Sequence, residues 1–227
     1  MQGAWSVRDE AGRVTLPGFY DNIVVPSDTV RAQWRAIFPD DSVTLAPVGL
    51  SQPAGEAGFT AIEQIWARPS YEINGISGGY EGDGFKTVLP AKAMAKVSFR
   101  LVPGQDPEAV RAAFRAHIRS VLPSDATLHF TEHGASTGFA VPEGGRLLGT
   151  ALEALGAEWG VSAVAIGCGG SIPVVAEVKE ALDMDSLLVG FAQDDDRIHS
   201  PNEQYGVESF HKGIRSWVRI LDAFSRP

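Results

Sequence analysis

Five residues in one loop have the chemistry of a metal or acid–base site. The segment Asp194-Asp195-Asp196-Arg197-Ile198-His199-Ser200-Pro201-Asn202-Glu203 follows an apolar run, Ser186-Leu187-Leu188-Val189-Gly190-Phe191, and precedes a helical pattern. A histidine in a polar loop at the carboxyl end of an α/β strand lies where such folds bind ligands. Its side chain suits a metal ligand or a general base better than a core position. The three aspartates read as a solvated loop, the usual fate of a charge run. If His199 ligates a metal it needs partners, and the chain must either supply them or lack them.

A second candidate is the turn Gly167-Cys168-Gly169-Gly170-Ser171 before Pro173. Glycines between a strand and a helix present backbone N–H groups and a positive dipole end to an anion, and Ser171 adds a hydroxyl. The same glycines would also serve a plain tight turn, and the sequence leaves both open. Cys168 could be a nucleophile activated by the helix end, but a small buried hydrophobe is the simpler reading. Ser171 lacks the glycine two residues on that a nucleophile elbow has, so a serine hydrolase is a minor alternative beside a cysteine one. Arg100 ends an alternating strand and points away from its apolar face. There it is solvated or, if that face lines a cleft, grips a substrate carboxylate bidentately. His133 ends the next strand pattern beside Gly134, just before the α/β region.

The elements that must position these residues fall into three stretches. Residues 1–66 are irregular, with helical pieces at Asp28–Phe38 and Gly58–Trp66, and show no self-contained core pattern. Residues 70–132 predict strands at 71–76, 95–102 and 127–131, and a helix from an Asp106 cap and Pro107 to Pro123. From Val141, helices at 145–159, 173–182 and about 203–224 alternate with apolar strands at 161–166 and 186–191, as in βαβ units. The last helix is expected to bury Val207, Phe210, Ile214, Trp217 and Leu221. Two and a half such units cannot close a doubly covered sheet, so more sheet is expected from outside these residues.

Composition sets the outer bounds. The 227 residues are 44% hydrophobic and 21% charged with net charge −9, arguing against nucleic acid or an anionic membrane as partner. Lys and Arg form no basic run, no eighteen-residue apolar stretch exists, and the first ten residues do not read as a signal peptide. The single cysteine excludes an internal disulfide and fits a reducing, cytoplasmic setting.

Taken together, several motifs resemble a known family. Gly169-Gly170-Ser171-Ile172-Pro173 and His199-Ser200-Pro201-Asn202-Glu203 resemble the co-catalytic zinc peptidases that include carnosinase, aminoacylase, acetylornithine deacetylase and glutamate carboxypeptidase. The run Gly82-Asp83-Gly84-Phe85-Lys86-Thr87-Val88-Leu89-Pro90, and Phe99-Arg100-Leu101-Val102-Pro103 beyond it, are most similar to the carnosinase-like dipeptidase branch.

The resemblance implies an α/β plus α+β architecture. A ferredoxin-like lid (dimerisation) domain would span residues 1–136, and the C-terminal part of a zinc-peptidase domain residues 137–227. It implies His199 as one ligand of a two-zinc site. Gly170 and Ser171 would contact the substrate's terminal carboxylate, with Thr87, Arg100 and His133 as lid residues that bind substrate. It further implies a homodimer, some lid residues reaching the mate's active site, and a dipeptide or N-acyl amino acid as substrate. Cys168 stands where animal carnosinases have glutamate. The family's His-x-Asp motif, bridging aspartate, Glu-Glu pair and further carboxylate ligand are not found in this sequence. The expectation is therefore a C-terminal half with no catalytic residue of its own and no hydrolysis alone. The alternatives are a non-catalytic dimerisation or amino-acid-binding module, and a hydrolase using Ser171 or Cys168.

Overall fold

The computed structural model describes residues 7–169 and 172–226. Its chain divides into two compact units, Met1–Phe139 with Ile166–Ala176, and Ala140–Ala165 with Glu177–Pro227.

The first unit is built on an aromatic core. Residues 7–20 form no long element; Arg8 and Val14 make an isolated antiparallel bridge, and Thr15 N–H donates to the Val7 carbonyl at 2.7 Å. Yet Val7, Val14, Leu16 and Phe19 are buried and form one cluster with Tyr71 and Val110. The core they enter is completed by residues beyond 66, so this stretch does not close one by itself. Its apolar spacing matches neither helix nor strand because the chain loops over the sheet.

Helix α1 (Asp28–Ile37) starts from Ser27, whose Oγ accepts the Val30 N–H. A short α2 (Asp41–Leu45) follows, then α3 (Ala61–Ala67), which opens with a Thr60/Glu63 capping box. Trp34 and Phe38 meet Trp66 edge-on, with centroids 5.2 and 5.6 Å apart.

Strands β1 (Ser70–Gly78) and β2 (Ala93–Arg100) form an antiparallel pair, with Tyr71 opposite Phe99 and Ser70 opposite Arg100. One face packs Tyr71, Ile73, Val97 and Phe99 toward α4 (Pro107–Val121), which contributes Val110, Ala113 and Phe114. The period-two alternation and the Asp106 cap therefore give the sheet face and helix that the sequence predicts. Residues 127–131, expected as a third strand, are not in a strand. Arg115 and Arg119 lie over the Phe130 ring, while Glu132 pairs with Arg111 and Arg115. These contacts hold the segment along the polar face of α4.

The second unit is thinner. Helix α5 (Arg146–Trp159) packs on α7 (Val207–Ser225) through Ala151, Ala154 and Ile220, with Leu187, Val189 and Phe224 at the margin. The face α7 buries is Ser209, Gly213, Ser216 and Ile220. Val207, Phe210, Ile214, Trp217 and Leu221, expected inside, are all exposed. Small residues win because they let the helix come close: a Cβ on Gly213 would lie 2.8 Å from the Phe191 ring. Ser216 Oγ accepts the Trp159 indole N–H at 3.0 Å, and Glu158 pairs with Arg215 and Arg219. Among the described residues, 161–166 and 186–191 belong to no sheet, although Leu187 and Val189 turn inward and Leu188 outward, as in a strand. Helix α6 (Pro173–Leu182) follows the glycine turn as expected. Among the described residues, no helix is long and apolar enough to cross a membrane.

Candidate functional site

His199 sits in a loop whose backbone is unusual. It has φ 60°, and Arg197 and Asn202 are also left-handed, at 55° and 60°. Non-glycine residues adopt this region sparingly, and a local cluster persists only where neighbours enforce it. The enforcing group is Asp196, which is buried: its Oδ2 accepts the Gln193 N–H at 2.7 Å. Around it, Gln204 N–H donates to the Asp196 carbonyl and Ser200 N–H to the Arg197 carbonyl, both at 2.9 Å. The aspartate run is thus not simply solvated. Asp195 is exposed, while Asp196 organises the turn that displays His199 to solvent. The signal available in the sequence was Gln193 three residues before Asp196, the spacing of a local side-chain cap.

Among the described residues, no group of three or more His, Cys, Asp or Glu could hold a metal ion. Asp196 is spent on the loop itself. His199 is therefore displayed to solvent without further donors gathered around it among the described residues.

At the glycine turn, Gly170 and Ser171 lie outside the described residues. Gly167 and Gly169 are described, and both back directly onto α3. A Cβ on Gly167 would lie 2.4 Å from the Trp66 carbonyl oxygen, and one on Gly169 2.7 Å from that of Ile65. Close packing therefore requires these glycines, whatever the turn also binds. Cys168 between them is exposed, correcting its reading as a packed residue. The two glycines take the contact and turn the intervening side chain outward.

The three lid candidates lie in the first unit. Arg100 ends β2 and is exposed, and among the described residues its guanidinium has no ion-pair partner. Thr87 is exposed in the loop between the strands, at a tight turn in which Val88 N–H donates to the Lys86 carbonyl at 2.9 Å. That loop joins β2 at Ala93, about 24 Å of extended strand from Arg100. The hairpin thus anchors the two at opposite ends. Beside Thr87, Phe85 and Leu89 are 88% and 92% exposed. His133 is also exposed; its carbonyl accepts from Arg111 Nη2 at 3.1 Å, fixing its backbone to α4.

What holds β1, and hence Arg100 opposite Ser70, is a cluster that sequence reasoning missed. Arg68 makes a bidentate pair with buried Glu56, Nε to Oε2 at 2.8 Å and Nη2 to Oε1 at 3.0 Å. Its guanidinium lies 5.1 Å from the Tyr20 ring centroid and 4.4 Å from that of Phe59. Arg13 completes the pair with Glu56 at 2.8 Å. Next to it, buried Glu63 accepts from Thr60 N–H, Arg31 and Arg35. Burial alone would raise the Glu63 pKa, but the Thr60 hydrogen bond and the two guanidinium groups hold it below the usual value. The ion-pair partners lie up to 43 residues apart, so no local motif announces them.

Comparison with known proteins gives a family and a fold. Residues 13–126 match the peptidase dimerisation domain family. The chain is 28% identical to a Cys-Gly metallodipeptidase of Schizosaccharomyces pombe over 208 residues, covering 90% of this chain and 44% of the relative. It is 26% identical to the Cys-Gly metallodipeptidase of Saccharomyces cerevisiae, covering 99% and 47%. The human Beta-Ala-His dipeptidase is 27% identical, covering 95% and 43%. Among solved structures, an M20 family metallo-carboxypeptidase from Sulfolobus solfataricus superposes with TM-score 0.84 at 23% identity, covering 98% of this chain and 51% of that one. A Saccharomyces cerevisiae dipeptidase gives TM-score 0.80 at 24% identity, with 100% and 48% covered. The chain spans about half the length of these relatives. The resemblance read from the motifs is borne out, as is the mixed α/β and α+β fold class.

Proposed function

The chain belongs to the M20 peptidase family through its peptidase dimerisation domain, and on that footing we propose that it forms the lid and carboxylate-binding half of a metallodipeptidase. The observation that carries this reading is the near-complete match of the chain, 90 to 99%, to proteins named as metallodipeptidases. The substrate would be a dipeptide or an N-acyl amino acid, whose amide bond is cut by water.

In this reading residues 1–136 are the lid and 137–227 belong to the catalytic domain. His199 supplies one ligand to a zinc pair; the left-handed loop pinned by Asp196 is what aims it outward. Gly170 and Ser171 hold the substrate's terminal carboxylate with backbone N–H groups and a hydroxyl. Arg100, without an ion-pair partner among the described residues and held by the strand that the Arg68–Glu56 pair anchors, adds a bidentate grip. Thr87 and His133 contact the substrate from the lid. The 24 Å between the Thr87 loop's attachment and Arg100 suits a homodimer in which the loop serves the mate's site. In this reading the general base and the remaining metal ligands come from outside these residues, and no catalytic residue is assigned among the described ones.

Calorimetric zinc titration tests the reading. The 227 residues alone should show no tight two-site binding, and no Cys-Gly hydrolysis with or without chelator. Two-zinc binding abolished by His199→Ala would overturn the half-site assignment. Hydrolysis that survives chelator and is lost in Ser171→Ala or Cys168→Ala would replace it with a nucleophilic hydrolase.

A further inference from the structure

Asn74-Gly75 stands inside strand β1, although asparagine and glycine are both poor strand formers and the pair is ordinarily a hairpin turn. The strand accommodates it with a bulge. Ile73 pairs with Val97 and Gly75 with Lys96, so among the described residues Asn74 has no counterpart on β2. It is exposed. The chain's other asparagines, Asn22 and Asn202, are exposed as well, but they precede Ile23 and Glu203. Access to water is therefore common to all three, and a following glycine distinguishes Asn74. At Gly75 a Cβ would meet the Lys96 side chain alone, at 3.6 Å from its Cδ, so the space beside this peptide bond is open.

We propose that Asn74-Gly75 is a self-modification site, at which the side-chain amide is exchanged for a carboxylate by water through a cyclic imide. The Gly75 amide nitrogen gives up its proton to water and attacks Asn74 Cγ. The new N–Cγ bond closes the imide ring as the Cγ–Nδ2 bond breaks, and the side-chain nitrogen leaves, reprotonated, as ammonia. Water then adds to one of the two ring carbonyls and opens the ring. Opening at Cγ leaves aspartate. Opening at the main-chain carbonyl leaves isoaspartate, in which the backbone runs through the side chain and is one carbon longer. No oxidant or reductant takes part. Glycine favours the attack because no Cβ crowds its nitrogen and its backbone turns freely. The bulge favours it because ring closure at residue 74 removes no pair from the ladder. The extra carbon falls between two halves of the hairpin. Pairs of 70–73 with 97–100 hold Arg100, while pairs of 75–78 with 93–96 carry the loop that includes Thr87. Isoaspartate therefore displaces the second half against the first, since register passes along a ladder pair by pair.

The test incubates the full 227-residue chain in mildly alkaline buffer and reads its peptides by mass spectrometry, with fragmentation that separates aspartate from isoaspartate. Conversion at Asn74 should exceed that at Asn22 and Asn202 by at least about tenfold, and Gly75→Ala should slow it by at least about tenfold. That substitution fits the strand, because the new Cβ makes ordinary contact with Lys96 and Gly75 does not have a positive φ. Its circular dichroism should match the wild type. The purified isoaspartyl chain should show faster hydrogen exchange at 76–78 and 93–95, with 70–73 and 97–100 unchanged. Asn74→Asp, which adds the charge without the carbon, should leave both halves unchanged. An intact Asn74, conversion spread equally over the three asparagines, or conversion that Gly75→Ala leaves unchanged overturns the proposal. Isoaspartate without a change in exchange, or an Asn74→Asp variant that reproduces the change, overturns the displacement of the hairpin.

Discussion

The two units bury their apolar residues in opposite ways. In the first, Phe19, Tyr71, Phe99 and Phe114 meet at centroid distances of 5.4 to 6.3 Å, and buried carboxylates are ringed by arginines. In the second, alanines, a glycine and serines make the helix contact, and the large apolar residues of α7 face water. The first unit closes an aromatic core; the second leaves the large apolar residues of its last helix uncovered among the described residues. The difference shows that an amphipathic pattern tells which residues seek burial, while the partner available decides which of them find it.

The sharpest break of this contrast is truncation of an aromatic in each unit. Phe19→Ala should cost about 4 kcal/mol of unfolding free energy, as a fully buried ring is replaced by a cavity. Trp217→Ala in the free chain should change stability by less than about 0.5 kcal/mol, although the deleted side chain is larger. Denaturant titration of both variants checks this; equal costs would mean that α7 is buried by its own unit.

Next in size is Glu56→Ala, which leaves Arg68 buried between Tyr20 and Phe59 without its carboxylate. About 3 kcal/mol is expected. With Glu56 gone the β1 anchor loosens, so hydrogen exchange should quicken at β1 and β2 and stay unchanged in α5 and α7.

A smaller effect separates the units by pH. The Glu63 pKa is lowered in the folded state, so its contribution is fully present above the ordinary glutamate value of about 4.3 and is lost as pH falls through the folded value. Glu63→Gln should therefore be less stable than wild type by about 2 kcal/mol at neutral pH, with the gap closing below about pH 4. Thermal melts across that range provide the check, and a pH-independent gap would assign the loss to packing alone. A small effect is also expected of Asp196→Asn. It retains an oxygen acceptor for the Gln193 N–H, so stability should fall by less than about 1 kcal/mol. Asp196→Ala should instead free the His199 loop, read as faster exchange at residues 197–204.

Much of the site's address was legible in the chain, while its construction was not. His199, the glycine turn and Arg100 stand out because their residue types carry chemistry at recognisable places: a polar loop after an apolar run, a turn before a helix, a strand end. The two strands, their register face and the Asp106-capped helix follow from period-two alternation and cap chemistry. What could not be read were the contacts that connect distant positions. Glu63 with Arg31 and Phe19 with Phe99 are separated by tens of residues, and Glu56 with Arg68 by 12, beyond any helical or strand repeat. The third strand at 127–131 failed for the same reason, since arginines on α4 outcompeted the sheet edge for it.

The sequence by itself determined the family, the mixed fold class, most of the helices, the two strands of the hairpin and the place of one histidine in a polar loop. These are properties of local pattern and motif, set by backbone periodicity and side-chain chemistry. Tertiary structure alone decided which face of α7 is buried, why Gly167 and Gly169 are glycines, and that Cys168 faces solvent. It also decided that Asp196 shapes the loop it lies in. Each of these depends on how near another backbone comes, and that distance is a property of the packed chain, which no stretch of sequence carries.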